Sequence, residues 1–282
     1  MIQALFCFSV NAMQYVTVSN CWENTVAIEK HPFLASVEVL KTSSQAKVPV
    51  TYYVGAILSD RFVLGVTPCQ RSSILKRCGN GPHEYLVRAG PDALGTGGIE
   101  HPAELILHEN YLSPVKQGVG PVDDVALYKV RDRIHFGPRA QPTQILRQNA
   151  RAKPGDSALS VGWAYDVFSA KNSKIRAVNL TVIDSVECLE MKKRPYAITA
   201  KIFRDFESLD VQVPPGHLCT IDNDGSHPMQ SSCYGYEDVL IVDGQLAGLY
   251  SIEQSQYTRN QLTYVYVDVA HYREWVLSRT GI

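Results

Sequence analysis

The sequence predicts an all-β fold, an antiparallel barrel or sandwich that ends in one helix. Three observations carry that expectation. Short apolar runs recur at intervals of roughly ten to fifteen residues, separated by turn residues. Val, Ile, Leu and Tyr are enriched in them, and several alternate with the two-residue period of half-buried strands. Val242-Asp-Gly-Gln245 sets Asp-Gly between two such runs, a strong hairpin signal. In order, the runs are Phe33 to Leu40, Tyr52 to Leu58, Arg61 to Val66, Tyr85 to Val87, Ala103 to Leu107, Val125 to Val130, Ala158 to Trp163, Arg176 to Ile183, Val239 to Val242, Leu246 to Ile252 and Thr263 to Val269. The helix is expected over Val269 to Leu277, where Val269, Tyr272, Trp275 and Val276 share one face and Gly281 follows.

With 282 residues and ~150 per domain, the length fits two domains or one large β unit. Residues 137–154, with three prolines and three arginines, are the candidate connection between two β units. The stretch from Glu190 to Pro215 reads either as a helix over Tyr196 to Leu209 or as an inserted loop. No internal repeat or low-complexity tract is present. A hydrophobic fraction of 45% with 20% charged residues excludes a disordered or fibrous chain. Net charge is −1, so no global field draws nucleic acid or an anionic membrane. The basic clusters Arg147 to Lys153 and Lys192-Lys193-Arg194 are short and read as solvated loops. No run approaches the ~20 apolar residues of a spanning helix.

Residues 1–12 are short and apolar, with Val10 and Ala12 at the −3 and −1 positions of a signal cleavage site. They read as a signal peptide, although a basic n-region is lacking; a truncated start is the alternative. An N-terminal extension over 13–30 follows. Of seven cysteines, removal of Cys7 leaves six, an even number that suits a disulfide framework in an exported protein. Six reduced thiols in a cytosolic protein remain the other possibility. Without a C-x-x-C pair no zinc site is expected, and nothing calls for a cofactor. Asn179-Leu-Thr181 is a glycosylation triplet.

Several of these segments resemble the trypsin/chymotrypsin family of serine proteases. Tyr53-Val-Gly-Ala-Ile-Leu-Ser-Asp-Arg-Phe-Val-Leu-Gly-Val-Thr-Pro-Cys69 is similar to C-G-G-S-L-I-x-x-x-W-V-L-T-A-A-H-C. Asp124-Val-Ala-Leu-Tyr-Lys-Val130 resembles D-I-A-L-L-K-L, and Val161-Gly-Trp163 resembles T-G-W-G. Cys233-Tyr-Gly-Tyr-Glu-Asp-Val-Leu-Ile-Val242 aligns with C-x-G-D-S-G-G-P-L-V, and Leu246-Ala-Gly-Leu-Tyr-Ser251 with L-x-G-I-V-S. Tyr264-Val-Tyr-Val-Asp-Val-Ala-His-Tyr-Arg-Glu-Trp275 resembles G-V-Y-T-K-V-x-x-Y-x-x-W-I. These ordered blocks cover the chain from about His31 onward. The resemblance implies two antiparallel β-barrels of trypsin-like type with a C-terminal α-helix. The degenerate domain would run over 31–282, with a first barrel at about 31–136 and a second barrel and helix at about 155–282.

The departures point away from catalysis. Family chemistry needs a hydroxyl nucleophile, an imidazole base and an orienting carboxylate. By position these are Glu237, Pro68 and Asp124 here, so only the carboxylate survives. Losing one essential member of a serine protease triad costs on the order of 10⁶ in turnover. The acid that pairs with a freed N-terminus in active members is Tyr236, and no activation sequence precedes His31-Pro-Phe33. Pocket glycines align with Glu253 and Tyr264 and the pocket floor with Ser231, which implies an occluded specificity pocket. Gly235 remains at one oxyanion position, but the glycine after the nucleophile is Asp238, whose charge opposes an oxyanion. Glu237 and Asp238 are expected on a solvated loop. Asp124 is expected to be a buried, hydrogen-bonded carboxylate, and His101 and His108 to be structural or surface histidines.

The resemblance also implies disulfides. Cys69 lacks its usual partner, since Tyr53 stands there, and Cys78 substitutes. Cys188 and Cys219 match a pair that brackets a loop of the second barrel. Cys21 and Cys233 are left to join the N-terminal segment to the nucleophile loop. The reading is a secreted, non-catalytic protease homologue, a pseudoenzyme binding an extracellular protein such as an active protease or its substrate, as cofactor, adaptor or decoy, in a process such as immunity or reproduction. Lys41 to Pro49 and Glu190 to Pro215 are the expected partner segments. The alternatives are a glycan or glycosaminoglycan binder, and a hydrolase with Ser231 or Ser232 as relocated nucleophile.

Overall fold

A computed structural model of the chain describes residues 25–42, 47–67, 83–112, 123–166, 169–190, 213, 215–222, 235–250, 256–257 and 262–282. The first half supplies β1 (Leu34–Thr42), β2 (Lys47–Ile57), β3 (Phe62–Gly65), β4 (His83–Ala93), β5 (Thr96–Leu107) and β6 (Ala126–Val130). They close an antiparallel barrel in the order β1-β2-β3-β6-β5-β4, which leaves no free edge to template aggregation. Its interior is filled from alternating positions, among them Ala35 and Val37 of β1, Val87 and Ala89 of β4, and Ala126 and Tyr128 of β6. The Tyr128 hydroxyl donates to the Val66 carbonyl at 2.9 Å, so the buried phenol keeps a partner.

The second half supplies β7 (Ser157–Asp166), β8 (Ser169–Ile183), β9 (His217–Ile221), β10 (Gly235–Val242), β11 (Gln245–Tyr250), β12 (Gln256–Tyr257) and β13 (Leu262–Asp268). Neighbours run β11-β10-β7-β8-β9-β13, and β13 pairs back onto β11 through Tyr250↔Tyr266, so six strands close a second barrel. β12 pairs with β13 outside that ring. The expected two-barrel fold is therefore present. The largest apolar cluster lies between the barrels, where Leu34, Leu64, Leu94 and Leu127 meet Trp163, Ile175, Leu249 and Val267. Two hydrogen bonds reinforce this seam: Leu94 N–H donates to Ser173 Oγ at 2.7 Å, and Trp163 Nε1–H reaches the Asp92 carbonyl at 3.4 Å.

The Asp-Gly turn joins β10 to β11. Asp243 (φ 49) and Gly244 (φ 73) both take the positive φ values of a hairpin turn that matches strand twist. Several strands outrun their apolar runs, because ladder pairing recruits polar neighbours. β8 starts at Ser169, seven residues ahead of the apolar pattern, by pairing with β7. The segment Lys41 to Pro49, expected to meet a partner, belongs to the β1–β2 hairpin. Pro49 lies beside a register shift between Val39 and Leu40, where a missing N–H is tolerated; residues 43–46 lie outside the described set.

The C-terminal helix spans Arg273–Thr280, not Val269 to Leu277. Asp268 explains the late start. Its Oδ1 accepts the Ala270 N–H at 3.0 Å, and the following N–H groups bond three residues back. The first α-type bond is Val276 N–H to Tyr272 O, at 3.0 Å. Gly281 (φ 72) ends the helix in the left-handed conformation, its N–H on the Leu277 carbonyl at 2.8 Å. Among the described residues, no helix is long and apolar enough to cross a membrane.

Candidate functional site

Asp124 stands just before β6 and is only 8% exposed. Its Oδ1 accepts the backbone N–H of Thr67 at 2.9 Å. Thr67 directly precedes Pro68, which lies outside the described residues. A carboxylate that the family resemblance assigns to orienting an imidazole thus holds the main chain one residue before that position. Asp123 enters the turn with φ 57, a left-handed conformation uncommon for a non-glycine residue.

The nucleophile-like segment is a strand, which corrects the solvated-loop expectation for Glu237 and Asp238. β10 pairs with β7 without interruption from Gly235↔Tyr165 through Tyr236↔Ala164, Glu237↔Trp163 and Asp238↔Gly162 to Ile241↔Leu159. Asp238 is 2% exposed. Adjacent acids signal solvent only when the chain is free, and here the ladder to β7 carries Asp238 inward. The strand also fixes the main-chain donors. In the family the oxyanion is bound by two N–H groups, from the nucleophile residue and the residue two before it. By the family resemblance, those places would fall to Gly235 and Glu237. In an extended strand such N–H groups point the same way about 6.6 Å apart. Both cannot lie 2.7–3.1 Å from one oxygen.

Tyr264, aligned with a pocket glycine, is 1% exposed in the core of the second barrel. Tyr266 and Tyr250 lie in the same cluster, their rings 5.7 Å apart edge to face. Tyr250 and Tyr266 were not singled out in the sequence. The alternation Tyr264-Val-Tyr266, which puts both tyrosines on one strand face, was the available signal. The other pocket positions, Ser231 and Glu253, and Ser232 lie outside the described residues.

His108 is enclosed by the C-terminal segment. Its ring lies 5.4 Å from Tyr272 and 5.2 Å from Trp275, and Nδ1 is 3.9 Å from Asp123 Oδ1. Burial pushes its pKa below the ordinary value; Asp123 opposes that shift, and His271 and Arg279 add to it. Burial, and then the charge of Asp123, push the Tyr272 phenol far up. His101 sits at 3% exposure in β5, its pKa also lowered by burial. Both are built into packing rather than presented as bases. Arg151, from the connection, donates through Nε to Asp268 Oδ2 at 2.8 Å. No cluster of three or more His, Cys, Asp or Glu that could hold a metal occurs among the described residues.

Cys188, on a helical turn over 185–190, is disulfide-bonded to Cys219 of β9, with Cα atoms 6.1 Å apart. Cys21, Cys69, Cys78 and Cys233 lie outside the described residues, as do residues 1–24 and nearly all of Glu190 to Pro215. Asn179 is exposed on β8.

Comparison with known proteins agrees with this architecture. Phenoloxidase-activating factor 3 of Holotrichia diomphalia is 26% identical over 189 residues, 62% of this chain and 50% of that protein. The chain thus spans about half the length of this curated relative. The scabies mite inactivated protease paralogue S-D1 superposes with a TM-score of 0.64 at 18% identity, covering 92% of this chain and 96% of the other. Neuropsin, a serine protease of mouse brain, gives 0.61 at 16% identity, covering 91% and 97%. The Trypsin family model matches residues 24–276. Since that match takes in both barrels, the chain belongs to the trypsin family.

Proposed function

We propose that this chain is an exported, catalytically silent member of the trypsin family that works by binding polypeptide, as a cofactor, adaptor or decoy for an active protease or its substrate. The observation that carries the reading is the unbroken pairing of Gly235 to Asp238 with β7. With the sequence, it supports silence at three levels. Glutamate at 237 and proline at 68 supply neither a hydroxyl nucleophile nor an imidazole to take its proton. The extended backbone holds the two oxyanion donors apart. A carboxylate at 238, where the family carries a glycine, is unsuited to stabilising a developing oxyanion. Tyr264 in the core supports a filled specificity pocket.

A protease fold that has lost its chemistry keeps two barrels and their loops, and function then resides in surface recognition. The curated relative is named for activating phenoloxidase, and one structural neighbour is named as inactivated; both fit a protein acting on a protease pathway without cutting. The Cys188–Cys219 bond favours an oxidising compartment.

The test is affinity capture from extracellular fluid with oxidised and reduced bait, read by mass spectrometry, alongside a fluorogenic peptide panel. The reading expects capture of a protease or its substrate that depends on the disulfides, with peptide turnover at background. Turnover above background by the pure protein, or no polypeptide captured by folded bait, overturns it.

A further inference from the structure

We propose that Asn179 carries an N-linked glycan, and that this glycan caps an open stretch of the edge of β8; the proposal rests on the exported reading above. Asn179-Leu-Thr181 is the only Asn-X-Ser/Thr triplet in the 282 residues. β8 places it well. Val178 and Leu180, on either side, are 2% and 3% exposed and point into the core of the second barrel, while Asn179 between them is exposed. A large substituent there projects outward and displaces no core side chain.

Among the described residues, the edge beside it is open. β8 pairs with β7 along one side from Ser169 to Thr181. On its other side β9 reaches only Thr181, Val182 and Ile183. Further back on that side, Thr25 bridges Arg176 and the Val26 N–H bonds the Ile175 carbonyl at 2.9 Å. Ala177 to Leu180 have no strand partner there among the described residues. A gap of this kind offers N–H and C=O groups to a second chain. A bulky, hydrophilic glycan rooted within the gap obstructs that approach, so this flank of the second barrel is closed to polypeptide.

The modification is a group transfer from a polyprenyl-diphosphate-linked oligosaccharide. The bond from the sugar C1 to the diphosphate oxygen breaks, and a bond from C1 to Asn179 Nδ2 forms. The amide gives up one proton, and polyprenyl diphosphate leaves; no redox change occurs.

The experiment compares wild type, Asn179→Gln and Thr181→Ser secreted from a eukaryotic host. Treatment with peptide N-glycosidase in ¹⁸O water, followed by peptide mass spectrometry, is expected to convert Asn179 to ¹⁸O-labelled Asp in wild type and Thr181→Ser. Asn179→Gln is expected to lose the mobility shift and to self-associate at concentrations where both glycosylated forms sediment as one species. Unmodified Asn179 in secreted protein with Cys188–Cys219 closed overturns the proposal while leaving the exported-binder reading intact. A chain kept inside the cell with both thiols reduced overturns both. A glycosylated wild type whose Asn179→Gln variant sediments identically overturns the capping role.

Discussion

The backbone N–H of Thr67 lies 2.9 Å from Oδ1 of Asp124, across a sequence separation of 57 residues and away from solvent. That contact turns the one surviving triad-like residue into a fastener between the end of β3 and the start of β6. Asp124→Ala leaves a buried N–H without its acceptor, a change that costs about 1–3 kcal/mol. Asp124→Asn retains a carbonyl oxygen in the same place and is expected to lose less. Urea denaturation checks both, and peptide turnover stays at background in wild type and variants.

On the outer wall of the first barrel, Arg88 Nε donates to Glu38 Oε1 at 2.7 Å, and an Arg88 terminal nitrogen donates to Glu100 Oε1 at 2.7 Å. The Glu38 side chain is only 3% exposed. Removing the guanidinium strands a buried carboxylate, so Arg88→Ala is expected to destabilise by about 3–5 kcal/mol. The double variant Arg88→Met/Glu38→Gln removes both charges and recovers most of that loss. Chemical unfolding of the two variants decides it.

Three histidines set the acid limb of stability. Burial is the main cause of the lowered pKa of His31, His101 and His108; Lys30 adds to it for His31. Asp132 opposes and His135 adds for His101. Their folded values lie below the unfolded value of about 6.5, so the unfolded chain binds more protons in between. Stability is then full above about pH 6.5 and falls as pH drops through the folded values. Thermal melts between pH 8 and 5 check this. Replacing His108 with Phe, which keeps a ring against Tyr272 and Trp275, is expected to flatten the slope.

The Cys188–Cys219 bond closes a loop of sequence separation 31. Chain entropy alone puts its contribution at about 3–4 kcal/mol. Cys188→Ser/Cys219→Ser is expected to fold with a lower denaturation midpoint, and reductant is expected to lower the wild-type midpoint by more than it lowers that variant's.

The sequence was most legible where local chemistry and tertiary context agree. Asp243-Gly244 reads as a hairpin because both residues accept positive φ, and the period-two runs read as barrel walls. β9 escaped notice because His217-Leu-Cys-Thr-Ile221 is buried on both faces and so shows no alternation. The helix start was misplaced because the shared face of Val269, Tyr272, Trp275 and Val276 carries no sign that the Asp268 side chain holds Ala270 in a turn. Asp238 was misplaced because its burial comes from pairing with β7, where its partner is Gly162, far away in the sequence. Asp124 is the buried, hydrogen-bonded carboxylate the sequence led us to expect, but neither residue type nor spacing names Thr67 as its donor.

The most direct measurement is fluorophosphonate labelling of wild type beside the Pro68→His/Glu237→Ser variant, read by intact mass. If the strand at Gly235 to Asp238 holds the oxyanion donors apart, neither protein takes up the probe. A stoichiometric adduct on wild type contradicts catalytic silence, and one on the variant alone contradicts the account of a backbone unfit for catalysis.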